Sequence, residues 1–203
     1  NAPGYMDGGN GSDAIYGGQS ADTVLAGAEA DLVYGGNGGD RLDGGDDADT
    51  LFGEGGTDLI YGGNGGDSLS GAGSNDTMFG GQGVDSLSGG SNNDLLYGGD
   101  DADLIYGDAN EDTIHGDNGS DQLYGGTSND LLYGGDDGDS VYGGANADTM
   151  FGGNGNDLLA GGDSVDQIAL GSGSDTAFGS FAELYGDKIS DFDTSFGSDV
   201  DRI

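Results

Sequence analysis

Nineteen aspartates stand in this chain at a strict nine-residue spacing: Asp13, Asp22, Asp31, Asp40, Asp49, Asp58, Asp67, Asp76, Asp85, Asp94, Asp103, Asp112, Asp121, Asp130, Asp139, Asp148, Asp157, Asp166 and Asp175. An ionised carboxylate only accepts hydrogen bonds and is a hard oxygen ligand. A single one could serve a turn or solvate a surface. A long series in register implies a ladder of like charges, and such a ladder calls for counter-ions between its rungs. The surrounding residues repeat as well. Residues 8–178 read as G-G-x-x-x-D-x-U-x without insertion or deletion, and U is apolar throughout, from Ile15, Val24 and Val33 to Ile168 and Ala177. One carboxylate and one buried-type residue per short unit predict a solenoid stapled by hard cations.

The elements that would hold these carboxylates follow from the same unit. The x-U-x portion predicts a three-residue strand, with its eighth place inward and its seventh and ninth places outward. The glycines at the first, second and fourth places suit turns with positive φ, where Asn or Asp is the next best residue. Ser20, Ser74, Ser128 and Ser164 fit less well, and Glu29, Glu54, Ala72 and Leu170 are further departures, so weaker cation turns are expected there. An 18-residue superperiod overlies the nine. The fourth place of odd-numbered units is Gly or acidic, as in Glu29, Asp47, Asp101 and Asp137; in even-numbered units it is Gly, Ser or Asn, as in Asn92, Asn110 and Asn146. Two chemically distinct edges imply two units per coil and two facing parallel sheets.

Parallel coils lie about 4.8 Å apart, so residues 18 apart would sit one above the other. Ten odd-edge aspartates enclose nine gaps and nine even-edge aspartates enclose eight. About 17 divalent ions would then carry a charge close to the formal −36 of the chain. Carboxylates with turn carbonyls make an all-oxygen, high-coordination environment, which suits Ca²⁺ better than Mg²⁺ or a transition metal.

Composition excludes several other classes. Of 203 residues, 49 are Gly and 39 are Asp or Glu, against three basic residues (Arg41, Lys188 and Arg202). Such a surface repels nucleic acid and anionic lipid. Without Cys there is neither a disulfide framework nor a thiolate zinc site. No apolar run reaches the length of a membrane-spanning helix. The start lacks an initiator Met and a signal peptide, so the chain reads as a piece of something longer or a processed product. Identical acids along an edge, with His115 as the one His, do not make the differentiated acid–base pair that catalysis needs. The expectation is a non-enzyme.

The units GGNGSDAIY (8–16), GGNGGDSLS (62–70), GGQGVDSLS (80–88) and GGNGNDLLA (152–160) resemble the RTX nonapeptide G-G-x-G-x-D-x-U-x. DKISDF (187–192) and GSDVDRI (197–203) resemble the segment that closes RTX blocks in secreted proteins. The resemblance implies an all-β, right-handed parallel β-roll (a β-solenoid) with Ca²⁺ in the turns, held by sixth-place Asp and turn carbonyls. It also implies export by bacterial type I secretion and folding outside the cell. It fixes no biological role, since such blocks occur in proteases, lipases, toxins, adhesins and surface layers.

Three segments are expected: an N-terminal half-unit (1–7), the roll of 19 nonapeptides (8–178) and a C-terminal cap (179–203). The cap is rich in bulky residues such as Phe181, Leu184, Tyr185, Ile189, Phe192 and Phe196. Outward ninth places are often aromatic. Tyr61, Phe79, Tyr97, Tyr133 and Phe151, with His115 among them, form one row. They read first as stacking partners along the ladder and second as a strip for a glycan or protein. Irregular seventh places disfavour ice binding. The expected task is a calcium-dependent structural spacer in a secreted or surface-attached bacterial protein of adhesin or surface-layer type; the alternative is the export and folding module of a secreted hydrolase or toxin.

Overall fold

The computed structural model describes residues 2–178 and 187–190. These residues build two parallel sheets, one of eleven strands and one of ten, with successive strands alternating between them. No helix occurs among the described residues. Every pairing joins residues 18 apart along the repeat, as in Val24 opposite Leu42 and Leu42 opposite Ile60. One coil is therefore two nonapeptides, and the two kinds of fourth place fall on opposite edges. The architecture is the parallel β-solenoid that the two periods predict.

The strands are longer than the expected three residues. Leu95–Asp100 (LLYGGD) is typical: six residues, from the seventh place of one unit to the third of the next. A positive φ at the second place does not break the ladder, because the stacked coils adopt it together. Gly27 pairs with Gly45, and Gly45 with Gly63, in matching conformations at φ 120°, 109° and 116°. A kink copied in every coil keeps its carbonyls and amides aligned.

Positive φ occurs at all second places and at every fourth place except Ser20, and nowhere else among the described residues. Glu29, Glu54 and Ala72 adopt it at 73°, 72° and 75°, and Ser74, Ser128 and Ser164 at 88°, 94° and 91°. The first-place glycines do not. Their side of the strand faces inward, where Ala26 and Leu170 are both 0 % exposed. Where Gly stands there, space favours it rather than a left-handed turn: a Cβ on Gly62 would lie 2.5 Å from both Asp67 Oδ2 and Gly80 O.

The core is two facing rows of eighth-place side chains. Those from Val24 to Leu159 are at most 2 % exposed, and burial of each contributes roughly 1.5–3 kcal/mol. At the last rung the eighth-place residue shrinks to Ala177, and Leu170 joins the same buried cluster from its first place. The half-unit at the N-terminus forms a real strand, Tyr5–Asn10, with Met6 opposite Val24. At the other end Lys188–Ser190 adds the eleventh strand, with Ile189 opposite Ile168. This part of the expected cap thus extends the array. Residues 179–186 and 191–203, including Phe181, Leu184, Tyr185, Phe192 and Phe196, lie outside the described residues.

Candidate metal centre

The sixth-place aspartates end each Gly-rich turn and point inward. From Asp22 to Asp175 they are at most 5 % exposed, so they line the inside of the turns rather than an outer edge. Each uses one oxygen structurally. Asp94 N–H donates to Asp112 Oδ1 at 2.7 Å, Asp112 N–H to Asp130 Oδ1 at 2.9 Å, and the same bond joins the sixth-place residues of successive coils on both edges. At the N-terminal end Gly4, which stands where Asp would be, supplies its N–H to Asp22 Oδ1 at 2.5 Å. Two continuous columns result, one per edge, in which each carboxylate anchors the coil before it.

The second oxygen has no such role. Oδ2 is buried and without a hydrogen-bond partner in every sixth-place Asp from Asp13 to Asp166. A buried acceptor left unsatisfied costs about 1–3 kcal/mol, and a charged one more, so repetition of this arrangement at every rung implies a ligand. The surroundings of Oδ2 are oxygen-rich. A Cβ built on Gly107 would lie 2.6 Å from both Asp112 Oδ2 and Gly125 O, the first-place carbonyl one coil further on. Gly62 has the same relation to Asp67 Oδ2 and Gly80 O, both at 2.5 Å. Among the described residues no three His, Cys, Asp or Glu side chains gather to hold a metal. What lies together is one carboxylate oxygen and a backbone carbonyl of the next coil, hard oxygen donors of the kind calcium takes rather than the nitrogen or sulfur donors of a zinc or iron site. The residues present therefore fit the hard cation their sequence calls for.

The electrostatics agree. Burial, above all, pushes the carboxyl groups up from their ordinary range: Asp58, Asp76, Asp85, Asp103 and Asp148 to about 7, and Asp112 and Asp139 to about 8. The backbone N–H on Oδ1 opposes this shift, and the carboxylates of adjacent coils add to it. Fourth- and second-place acids raise it further on the odd edge: Asp101 acts on Asp103, Asp137 on Asp139, and both Asp117 and Asp137 on Asp121. By themselves these groups favour protonation. A divalent cation reverses the preference by stabilising the charged form.

All nineteen predicted site residues fall in the two columns, ten on the odd edge and nine on the even edge. Sequence reading missed one member. Asp187 continues the even column by accepting the Asp166 N–H on Oδ1 at 3.0 Å, and its Oδ2 is likewise buried without a partner. The offset from Asp166 is 21 residues, so a nine-residue frame passes over it. The usable signal was D-K-I-S (187–190), which matches D-Q-I-A (166–169).

The outer rings stack along the ladder. On the eleven-stranded sheet Tyr61, Phe79, Tyr97, His115, Tyr133 and Phe151 form an unbroken column with centroids 4.6–5.1 Å apart and planes within 9°. Arg41 lies over the free face of Tyr61, 5.0 Å from its centroid, and pairs with Asp43. The ring faces are thus spent on one another, and edges are presented outward. Burial in this stack lowers the affinity of His115 for a proton, partly offset by Asp117.

The family model described as RTX calcium-binding nonapeptide repeat (4 copies) matches residues 5–33, 34–69, 52–87, 79–114, 88–123, 115–150 and 142–177. The matches together run from residue 5 to residue 177. No curated protein matches the chain.

Proposed function

The chain belongs to the family of RTX calcium-binding nonapeptide repeats, and we propose from this that it is a calcium-dependent structural spacer of a secreted or surface-attached bacterial protein. The observation that carries the proposal is the buried, unpartnered Oδ2 repeated from Asp13 to Asp166. Asp13 through Asp175, with Asp187, would hold Ca²⁺ together with turn carbonyls of the adjoining coil. Bound calcium would neutralise the columns and supply folding free energy that the thin core lacks. With Asp187 counted, each edge has ten acidic rungs and hence nine gaps, one more on the even edge than the strict repeat suggests.

A spacer is favoured over a shorter folding tag by the uninterrupted run of units, which would form a rod about 50 Å long at about 4.8 Å per coil. Millimolar calcium outside the cell and its scarcity inside would keep such a chain unfolded until export. Type I secretion, an adhesin or surface-layer context, and the division into half-unit (1–7), roll (8–178) and closing segment (179–203) belong to this proposal. A glycan or protein meeting the strip from Tyr61 to Phe151 would have to recognise ring edges and hydroxyls, since the faces are stacked. The test is circular dichroism with small-angle scattering in excess chelator and then in millimolar Ca²⁺. The expected result is an expanded coil that becomes a strand-rich rod on calcium addition, with Mg²⁺ a poor substitute. A strand spectrum unchanged by chelator at neutral pH and low salt refutes the proposal.

A further inference from the structure

The first place of each unit stands beside the sixth-place carboxylate of that unit. In every unit that begins with Gly, the Oδ2 of the unit's own Asp is among the nearest atoms to the point where a Cβ would stand, as with Gly107 and Asp112 or Gly125 and Asp130, both at 2.6 Å. The even edge has Gly at all nine first places. The odd edge has two exceptions, Ala26 and Leu170, in its second and last units.

Both side chains are 0 % exposed and belong to the hydrophobic core cluster. Neither residue has a positive φ, so no backbone strain opposes them. Asp31, the partner of Ala26, still accepts the Asp13 N–H on Oδ1 at 2.7 Å, and its Oδ2 remains buried without a partner. The anchoring half of the carboxylate is therefore kept in this unit, while a methyl group stands where Gly44 and the later first-place glycines carry none, beside Oδ2 and the next coil's carbonyl.

We propose that the Ala26 methyl closes the calcium site of Asp31, and that Leu170 seals the C-terminal end of the same column with hydrocarbon. The odd-edge sites then run without interruption only through the units that begin at Gly44, Gly62, Gly80, Gly98, Gly116, Gly134 and Gly152. Near the closed positions the coils are held by apolar burial: Ala26 and Leu170 both belong to the core cluster that also holds Val24, Val33, Ile168 and the small Ala177. The roll would thus carry cohesion independent of calcium near both ends and depend on calcium in between.

The proposal rests on calcium occupying the turns, and the test separates the two. Native mass spectrometry of the full chain in saturating Ca²⁺ counts the ions on wild type, Ala26→Gly and Gly44→Ala, with circular dichroism as a check of folding. The expected counts are one ion more than wild type for Ala26→Gly and one fewer for Gly44→Ala. A wild-type chain that binds no calcium refutes the spacer function itself. A folded Ala26→Gly chain with the wild-type count overturns the gating by the first place. Should either variant fail to fold, Gly80→Ala provides the same contrast in mid-array, and retention of the full wild-type count by that variant overturns the proposal equally.

Discussion

Replacement of Asp103 separates the two oxygens of one rung. Asp103 stands mid-array on the odd edge, 2 % exposed. Its Oδ1 accepts the Asp85 N–H at 2.8 Å, its own N–H donates to Asp121 Oδ1 at 2.7 Å, and its Oδ2 has no protein partner. Asp103→Asn keeps an oxygen for the Asp85 N–H and removes the charge. Asp103→Ala removes both and leaves the Asp85 N–H unsatisfied in a buried turn. That omission costs about 1–3 kcal/mol, or roughly one to two powers of ten in a local opening equilibrium at about 1.4 kcal/mol per tenfold. Both variants should lose one or two calcium ions, those of the gaps flanking the rung, since stacked repeats couple to nearest neighbours. Only Asp103→Ala should also speed hydrogen exchange at the Asp85 amide, by roughly 10- to 100-fold over Asp103→Asn. Native mass spectrometry gives the ion counts, and exchange read by NMR gives the local opening. Full retention of calcium by both variants would refute the assignment of Oδ2 to the cation. Equal exchange in the two variants would refute the structural role of Oδ1, and loss of every ion from either would refute nearest-neighbour coupling.

Two further outcomes are expected. In chelator the roll should be favoured by acid: the carboxyl groups of Asp103, Asp112 and Asp139 stand at about 7 and 8 when folded, above the ordinary 3.8. A folded-state value above the unfolded one gives stability that is full below about 3.8 and lost as pH rises through about 6–8. A chelated chain that gains no strand signal by circular dichroism between pH 8 and pH 4 contradicts this, and with calcium present the midpoint should instead move to higher calcium as pH falls. Deletion of residues 180–203 removes the strand Lys188–Ser190 and the Asp187 acceptor, which uncovers Gln167–Ala169 and the Asp166 N–H. The truncated chain should need more calcium to fold and should scatter light as it associates through the bare edge; an unchanged calcium midpoint in a monodisperse sample contradicts that.

Much of the molecule was legible in the sequence because a repeat protein states its contacts many times over. The nine-residue spacing from Asp13 to Asp175 defined the columns, the superperiod seen at Glu29, Asp47, Asn92 and Asn110 defined the coil, and Ile15 to Ala177 defined the core. These are one-dimensional facts, since in a parallel stack the residue above is always the one 18 positions on. Tertiary structure decided whatever depends on direction within the coil. The inward aim of the first place made Gly a matter of space at Gly107 and put the Ala26 side chain into the core, which no propensity reveals. The split duty of each carboxylate, Oδ1 to the coil before and Oδ2 toward the turn, depends on atoms brought together from different coils. The extension of each strand through its kinked second place needs the neighbouring coil to kink identically. Asp187 joined the even column only because the intervening chain is three residues longer than a coil, a length that breaks the register of the sequence while leaving the register of the sheet intact.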